Sequence, residues 1–182
     1  MTAPTAPVAS VYSGVLYEAL DLPSLDPAGR RRAYRRVVVG SALFGALRLA
    51  DRIPAYRLSM KVNLPPLGPL AAVWRGALAA PLSAAAGPGL VVDCRSSTYA
   101  AAWVPQGPTA RRWVQVAVPG ATHLAKRTRG LVARLLCDAD VEVRTPARLA
   151  SLVAEAFDCD LTAPRRPGQP WLLSVGERTP AT

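Results

Sequence analysis

Four short apolar runs recur along the chain, and glycine, proline or charged residues bound them. They are "VVVG" at 37–40, "GLVVDC" at 89–94, "RRWVQVAV" at 111–118 and "WLLSV" at 171–175. Their β-branched content and their length of four to eight residues are typical of buried strands. Each run therefore predicts one strand of a sheet.

Segments with apolar residues three and four positions apart separate these runs, and this spacing predicts helices. Strands and helices that alternate one by one predict an α+β (mixed α/β) fold, with a small mixed sheet covered by helices. An extended segment with one apolar side is also expected over 56–64. The predicted helices cover 11–20, 41–50, 69–86, a segment from Ser96 or Ser97, 122–136 and 147–157.

The length of 182 residues, of which 51% are hydrophobic, fits a single domain with its own core. The opening "MTAPTAPVAS" offers little to bury, so we expect residues 1–10 to be disordered. The domain is then expected over 11–178, with a short tail at 179–182. The longest apolar stretch, at 76–90, is broken by Pro81 and Gly87, so no membrane span is expected.

The charge balance favours an anionic partner, because 22 Lys and Arg residues stand against 12 Asp and Glu residues and give a net charge of +10. Nucleic acid, phosphorylated ligands and acidic membrane surfaces all remain open. Cysteines at 94, 137 and 159 form no C-x-x-C pair, which fits a reduced cytoplasm. One histidine and scattered acids predict no metal site and no cofactor.

The stretch "THLAKRTRGLVARLL" at 122–136 holds the strongest concentration of basic residues. On a helix its leucines would pack inward, while Gly130 would leave a bare patch that a phosphate could approach. Arg129 falls off the basic side. The outward row would contain His123, Lys126, Arg127, Gly130 and Arg134.

Six cationic side chains and no carboxylate lie between Arg111 and Arg134, so none can be neutralised within that segment. This favours a functional surface over a merely solvated helix face, which stays the alternative. The run "RRRAYRR" at 30–36 could form a second wall of a basic cleft. Cys94 and His123 could in principle form a nucleophile–base dyad, although a cysteine that ends a strand is usually a small apolar residue.

Four motifs resemble those of the YaaA-like peroxide stress proteins and cover most of residues 11–136. They are "YSGVLYEAL", "GSALFGALRLADRIPAYRLSM", "VVDCRSSTYAAAW" and "THLAKRTRGLVARLL". The family's K-x-x-R/K-G run is matched by Lys126, Arg129 and Gly130. Its G-L-Y-G-x-L-R-P-x-D-x-x-x-P-Y-R-L pattern is matched by Gly45, Leu47, Arg48, Asp51, Pro54, Tyr56, Arg57 and Leu58.

The resemblance implies a cytoplasmic protein that helps cells survive peroxide and is linked to limiting intracellular free iron. It further implies an α+β fold with a positively charged, DNA-binding cleft and no established catalytic activity. The sequence departs from the family pattern at Leu49, where a proline is usual, and at Ser59, where an acid is frequent. The family's opening strand and loop have no counterpart before residue 11. Either the given start is too late or the domain is truncated, and a truncated domain would lack one sheet edge and part of the cleft.

Two functions follow as hypotheses. The first is sequence-tolerant binding of duplex or branched DNA, without catalysis. The second is an enzyme acting on a phosphorylated or nucleotide substrate in a pocket around Arg48, Asp51, Tyr56 and Arg57, although Asp51 could equally brace its loop through an arginine. Tyr12 and Tyr17 could stack on bases or belong to the core. The predicted nucleic-acid contacts are Lys126, Arg127, Arg129, Gly130 and Arg134, supported by Arg57, Arg111 and Arg112.

Overall fold

The computed structural model describes residues 3–120 and 122–178. Most of the predicted helices are present, and one further helix covers the arginine-rich run at 30–36. A 3₁₀ turn lies at Leu22–Ser24. The helices are α1 (Val8–Val11), α2 (Val15–Leu20), α3 (Pro27–Arg36), α4 (Leu70–Ala86), α5 (Ser97–Ala100), α6 (Gly107–Ala110), α7 (Thr122–Asp138) and α8 (Pro146–Ala154).

The strands are short and fall into one larger sheet and three two-stranded pairs. Short strands of this kind need helices or other strands packed on them to be stable. The strands are β1 (Thr5–Pro7), β2 (Val38–Ser41), β3 (Gly45–Arg48), β4 (Arg52–Pro54), β5 (Asn63–Leu64), β6 (Gly68–Pro69), β7 (Val91–Asp93), β8 (Trp113–Ala117), β9 (Asp158–Thr162) and β10 (Trp171–Gly176).

The larger sheet has the order β7-β8-β10-β9. Strands β7, β8 and β10 run parallel, whereas β9 pairs antiparallel with β10. Val114, Val116, Leu173 and Val175 are completely buried and pack against Val132 of α7. A mixed sheet with helices against its central strands confirms the predicted α+β class.

Strand β9 was not predicted from the sequence. The predicted helix over 147–157 extended over the residues that lead into this strand. The helix α8 ends at Ala154, and the chain then turns into β9. Along β9, Cys159 and Leu161 point toward the core, while Asp158 and Asp160 are exposed. This alternation is the period-two signal of a half-buried strand, and polar residues at every second position masked it.

The predicted helix over 41–50 is wrong, because this segment forms the hairpin of β2 and β3. Val39 lies opposite Leu47 in the register, and both side chains are buried. Gly45 adopts a φ of +78°, and a Cβ atom there would lie 2.7 Å from the ring of Trp74. The close approach of Trp74 to the hairpin therefore requires glycine.

The predicted extended segment over 56–64 is only partly a strand, since β5 takes up its last two residues. The alternate apolar side chains of this segment nevertheless lie on one side, as predicted. Met60 is buried, and Leu58, Val62 and Leu64 pack against the same cluster. The alternation thus identified the buried side without specifying hydrogen-bonded partners.

The predicted disorder of residues 1–10 is wrong from Thr5 onward. Strand β1 pairs antiparallel with β4, and Val8 is only 1% exposed within the core. Its backbone N–H donates to the carbonyl oxygen of Asp51 at 2.8 Å. Two prolines and several small residues made this segment look unable to bury apolar surface. The side chain of Val8 nevertheless enters the core and anchors the segment. Residues 1–2 and the predicted tail at 179–182 lie outside the described residues.

Helix α7 is covered on two sides, because α2 packs against the side that does not face the sheet. Gly130 is buried in this contact. A Cβ atom at Gly130 would collide with the carbonyl oxygen of Leu16 and lie 2.7 Å from the Cβ of Ala19. The predicted bare patch for a phosphate is therefore wrong: the missing side chain lets two helix backbones approach.

We predict that Gly130→Ala destabilises the protein by about 1–3 kcal/mol, because the added methyl group forces α2 and α7 apart. The matched control is Gly76→Ala in α4, where a Cβ would meet nothing within 4 Å. That change is expected to stabilise the protein by about 0.5–1 kcal/mol, since alanine is the better helix former. Urea unfolding followed by circular dichroism measures both, and equal effects would contradict the packing described.

Candidate functional site

The first turns of α7 leave several side chains exposed. His123, Lys126 and Arg127 are on the surface, as the helical projection predicted. Within the described ranges Lys126 makes no hydrogen bond or ion pair, whereas Arg127 lies 3.6 Å from the carboxylate of Glu177. This part of the predicted row is therefore available to an anion, with Arg127 shared with an exposed acid.

Two other predicted contacts on α7 are held by the protein itself. Arg129 donates through Nε to the carbonyl oxygen of Val116 at 3.1 Å, at the end of β8. Arg134 donates to the carbonyl oxygen of Asp21 at 2.7 Å and to the carboxylate of Asp138 at 2.7 Å. Both arginines thus join elements of the fold, and the row is cationic only toward the start of the helix.

The predicted supporting arginines lie elsewhere. Arg111 and Arg112 precede β8, whereas Lys126 comes after its other end, so the sheet separates the two groups. Five residues of strand span about 17 Å. Arg111 is exposed, while Arg112 donates to the carbonyl oxygen of Gly87 at 2.7 Å. Arg57 is also exposed.

The predicted pocket around Arg48, Asp51, Tyr56 and Arg57 is not assembled. The Asp51 carboxylate accepts from the backbone N–H of Arg48 at 2.7 Å, which braces the turn between β3 and β4. The Arg48 guanidinium donates to the carbonyl oxygen of Arg35 on α3. Tyr56 points inward while Arg57 is exposed, so the four side chains do not converge. The prediction of no catalytic activity stays a prediction.

Tyr56 instead belongs to a chain of hydroxyl groups. Its oxygen lies 2.7 Å from the Tyr12 hydroxyl and 2.7 Å from that of Ser41, which is fully buried. Ser41 Oγ also accepts from the backbone N–H of Phe44 at 2.9 Å. The chain fastens the end of α1 to the β2–β3 hairpin.

Four of the five tyrosines gather around this chain. Tyr12 stacks on Tyr17 with ring centroids 5.2 Å apart, and Tyr99 approaches from α5 beside Gly40. Burial raises the pKa of Tyr12, Tyr17 and Tyr99. The rings pack against the core clusters, so the core interpretation of Tyr12 and Tyr17 fits better than stacking on bases.

An ion pair between the half-buried Arg95 and the buried Asp93 lies at the end of β7, and none of the site predictions from the sequence included it. The Arg95 guanidinium binds the carboxylate of Asp93 at 2.7 and 2.8 Å, and Trp113 Nε1 donates to the same carboxylate at 3.1 Å. Arg95 also donates to the carbonyl oxygens of Tyr99 and Trp103. The available signal was an acid and an arginine two residues apart, directly after an apolar run.

The nucleophile–base dyad is not supported. Burial, together with the smaller effect of the Asp93 charge, raises the pKa of the Cys94 thiol to about 12. A thiol with that pKa is almost entirely protonated at neutral pH and is a poor nucleophile. His123 is exposed in the first turn of α7.

The arginines of α3 form the most concentrated exposed basic surface. We call Arg30, Arg31 and Arg35 the α3 strip; all three are exposed. Arg32 between them is buried and donates to the carbonyl oxygens of Cys137 at 2.7 Å and Asp138 at 2.7 Å. Arg36 likewise donates to the carbonyl oxygen of Leu136 at 2.9 Å. Arg32 and Arg36 thus fix the helix against α7, while the α3 strip stays in solvent.

We predict that Arg134→Ala lowers the free energy of unfolding by about 1–3 kcal/mol, because it removes charge-assisted bonds that tie α7 to α2. Lys126→Ala removes the same charge from the same helix and is expected to change stability by less than about 0.5 kcal/mol. Thermal and urea unfolding of both variants give the comparison. A larger loss for Lys126→Ala would contradict these assignments.

We predict that Tyr56→Phe costs about 1–2 kcal/mol, since the hydroxyl groups of Tyr12 and of the buried Ser41 each lose one hydrogen-bond partner. Tyr34→Phe is the matched control, because among the described residues the Tyr34 hydroxyl makes no hydrogen bond; its expected effect is below about 0.5 kcal/mol. The test is the urea midpoint of each variant. Similar midpoints for the two variants would argue against a structural role of the hydroxyl chain.

Comparison with known proteins places the chain in a family. The sequence profile of the family described as "Peroxide stress protein YaaA" matches residues 1–162. A UPF0246 protein of Streptomyces coelicolor is 45% identical over 182 residues, which is 96% of this chain and 70% of the relative. A UPF0246 protein of Corynebacterium efficiens is 35% identical over 163 residues. The latter match spans 85% of this chain but 64% of the relative, so this chain covers less than two thirds of that protein. The chain belongs to the YaaA family of peroxide stress proteins.

Proposed function

We propose that the chain acts in the cytoplasmic response to peroxide by binding nucleic acid without sequence preference. The observation that supports this most is the α3 strip. Helix α3 carries five arginines and no acid in ten residues. Four of these arginines are exposed. Arg36 donates to the carbonyl oxygen of Leu136, whereas the three of the α3 strip lie on one side, where phosphate groups could be neutralised.

The shape of α3 suits such contacts. At about 100° per residue, Arg30, Arg31 and Arg35 fall within an arc of about 140°. The Asp26 side chain caps the helix start, and the buried Arg32 anchors it to α7. A fixed helix that presents several guanidinium groups loses little conformational freedom on binding a phosphate backbone.

The proposed nucleic-acid contacts differ in part from those predicted from the sequence. Arg129, Arg134 and Arg112 hold protein carbonyl or carboxylate groups, and Gly130 is buried. The α3 strip replaces them, with Lys126, Arg127, Arg57 and Arg111 as further exposed cations. Contacts to phosphates position a protein on a duplex without reading its sequence.

A link to limiting free iron belongs to the same proposal. Peroxide damages DNA mainly through iron-driven chemistry, so DNA binding and a limit on free iron would act against the same damage. Across residues 3–120 and 122–178 no group of three or more His, Cys, Asp or Glu side chains is placed to hold a metal ion. The proposal therefore assigns no direct iron site to the described residues.

We predict that affinity for a mixed-sequence duplex falls with salt at a slope of log K against log[salt] of about −3.6, for contacts by the α3 strip and Lys126. Arg31→Glu with Arg35→Glu removes two contacts, so the slope should shrink to about −1.8. Fluorescence anisotropy at several salt concentrations measures both slopes.

The matched control is Lys61→Glu with Arg148→Glu, two exposed positions on other elements. Both double variants have the same net charge, since two changes of −2 each lower +10 to +6. The control should keep most of the affinity and nearly the full slope. Equal losses in the two double variants would show that overall charge, rather than the α3 strip, determines binding.

A further inference from the structure

A second basic surface lies at the other end of the sheet. The segment at 106–112 leads into β8, and the segment at 163–170 leads into β10. Because β8 and β10 are parallel, both segments lie at the amino ends of their strands. They meet around an open pocket of about 710 Å³.

The pocket has the composition of an anion site. Arg111, Arg165 and Arg166 line it together with the amides of Gln106 and Gln169, and no carboxylate is among its described lining residues. Its volume falls in the range of small-molecule sites, about 300–1,000 Å³. Guanidinium and amide N–H groups are the side-chain donors best suited to phosphate oxygens.

Prolines and a turn fix the segment that carries two of these arginines. Pro164 and Pro167 flank Arg165 and Arg166, and proline restricts both its own φ and the residue before it. Gly168 has a φ of +84°, and the Gln169 N–H donates to the carbonyl oxygen of Arg166 at 3.2 Å. The backbone that presents the two guanidinium groups is thus constrained before any ligand binds.

The three arginines are not used by the fold. In the described ranges, the side chains of Arg111, Arg165 and Arg166 make no hydrogen bond or ion pair, and all three are exposed. Their neighbour Arg112 differs, because it donates to the carbonyl oxygen of Gly87 at 2.7 Å. Three like charges around one pocket repel one another, and a bound anion would remove that cost.

We propose that this pocket binds a compact polyanion with two or more phosphate groups. A single phosphate monoester carries about −1.5 to −2 charges at neutral pH, so the three positive charges of this pocket match a ligand with at least two phosphates. The amides of Gln106 and Gln169 can complete the donor set at the rim. The pocket shares Arg111 with the proposed nucleic-acid contacts but involves none of the α3 strip, and its ligand and its other arginines go beyond that proposed function.

Inorganic tripolyphosphate is the probe, and isothermal titration calorimetry at low salt measures its binding to the full chain. Saturable binding by the unaltered protein is expected, at least tenfold weaker in Arg165→Ala with Arg166→Ala. The control Lys61→Ala with Arg148→Ala has the same net charge, changes two exposed positions outside both proposed surfaces, and should bind as the unaltered protein does. No saturable binding, or equal weakening in both double variants, would overturn the proposal.

Stability distinguishes a binding role from a structural one. Removing two like charges that make no hydrogen bond or ion pair in the described ranges should leave the melting temperature of Arg165→Ala with Arg166→Ala unchanged or raised without ligand. Added tripolyphosphate should raise the melting temperature of the unaltered protein but not that of this variant. A fall in the variant's melting temperature without ligand, combined with an unchanged shift on tripolyphosphate, would contradict the assignment.

Duplex DNA serves as the second arm and identifies the source of the phosphates. If the pocket variant loses tripolyphosphate but keeps duplex affinity, the pocket takes a free polyphosphate or nucleotide. If it loses both while the α3 variant keeps tripolyphosphate, the pocket takes phosphates of the nucleic-acid backbone. If the unaltered protein binds tripolyphosphate but no duplex, the proposed function is contradicted while the assignment of this pocket is supported.

Discussion

The close contact between α2 and α7 determines how the rest of the molecule can use its charge. Because Gly130 allows two helix backbones to approach, α2 covers the outer side of α7. That cover turns Arg134 from a surface cation into a link between helices, and it leaves Lys126 and Arg127, near the start of α7, as the exposed cations among the described residues of that helix. A larger residue at position 130 would separate the helices and expose a longer basic row at the expense of core packing.

Arginine serves two separate purposes in this protein. Arg32, Arg95 and Arg112 bind backbone carbonyl oxygens or a buried carboxylate, where the planar guanidinium satisfies several acceptors at once. The α3 strip and the pocket arginines instead extend into solvent. The two groups are neighbours in sequence, since Arg31 precedes Arg32 and Arg111 precedes Arg112. Because several arginines are bonded within the protein, fewer positive charges are available to bind a partner than the net charge suggests.

The sequence was sufficient for the fold class, for the strands of the larger sheet with strong apolar runs, and for the long helices α4 and α7. It failed where long-range contacts decide the outcome. Residues 41–50 have helical spacing but form part of a hairpin, because Trp74 packs against Gly45. Residues 5–7 form a strand because β4 pairs with them. Helical projection identified Lys126 and Arg127 as exposed but could not foresee α2 above Gly130. Period and composition describe one segment, whereas burial depends on what covers it.

Strand β9 lies at one edge of the larger sheet, and its other side has no strand partner among the described residues. Its exposed side carries Asp158 and Asp160, next to Thr162. Exposed sheet edges can recruit a strand from another copy, and charged side chains on the edge make that pairing costly. Two such strands in antiparallel register would bring carboxylates of both copies together. The acids of this edge therefore oppose the pairing of two copies through their sheets, in a chain whose net charge is otherwise strongly positive.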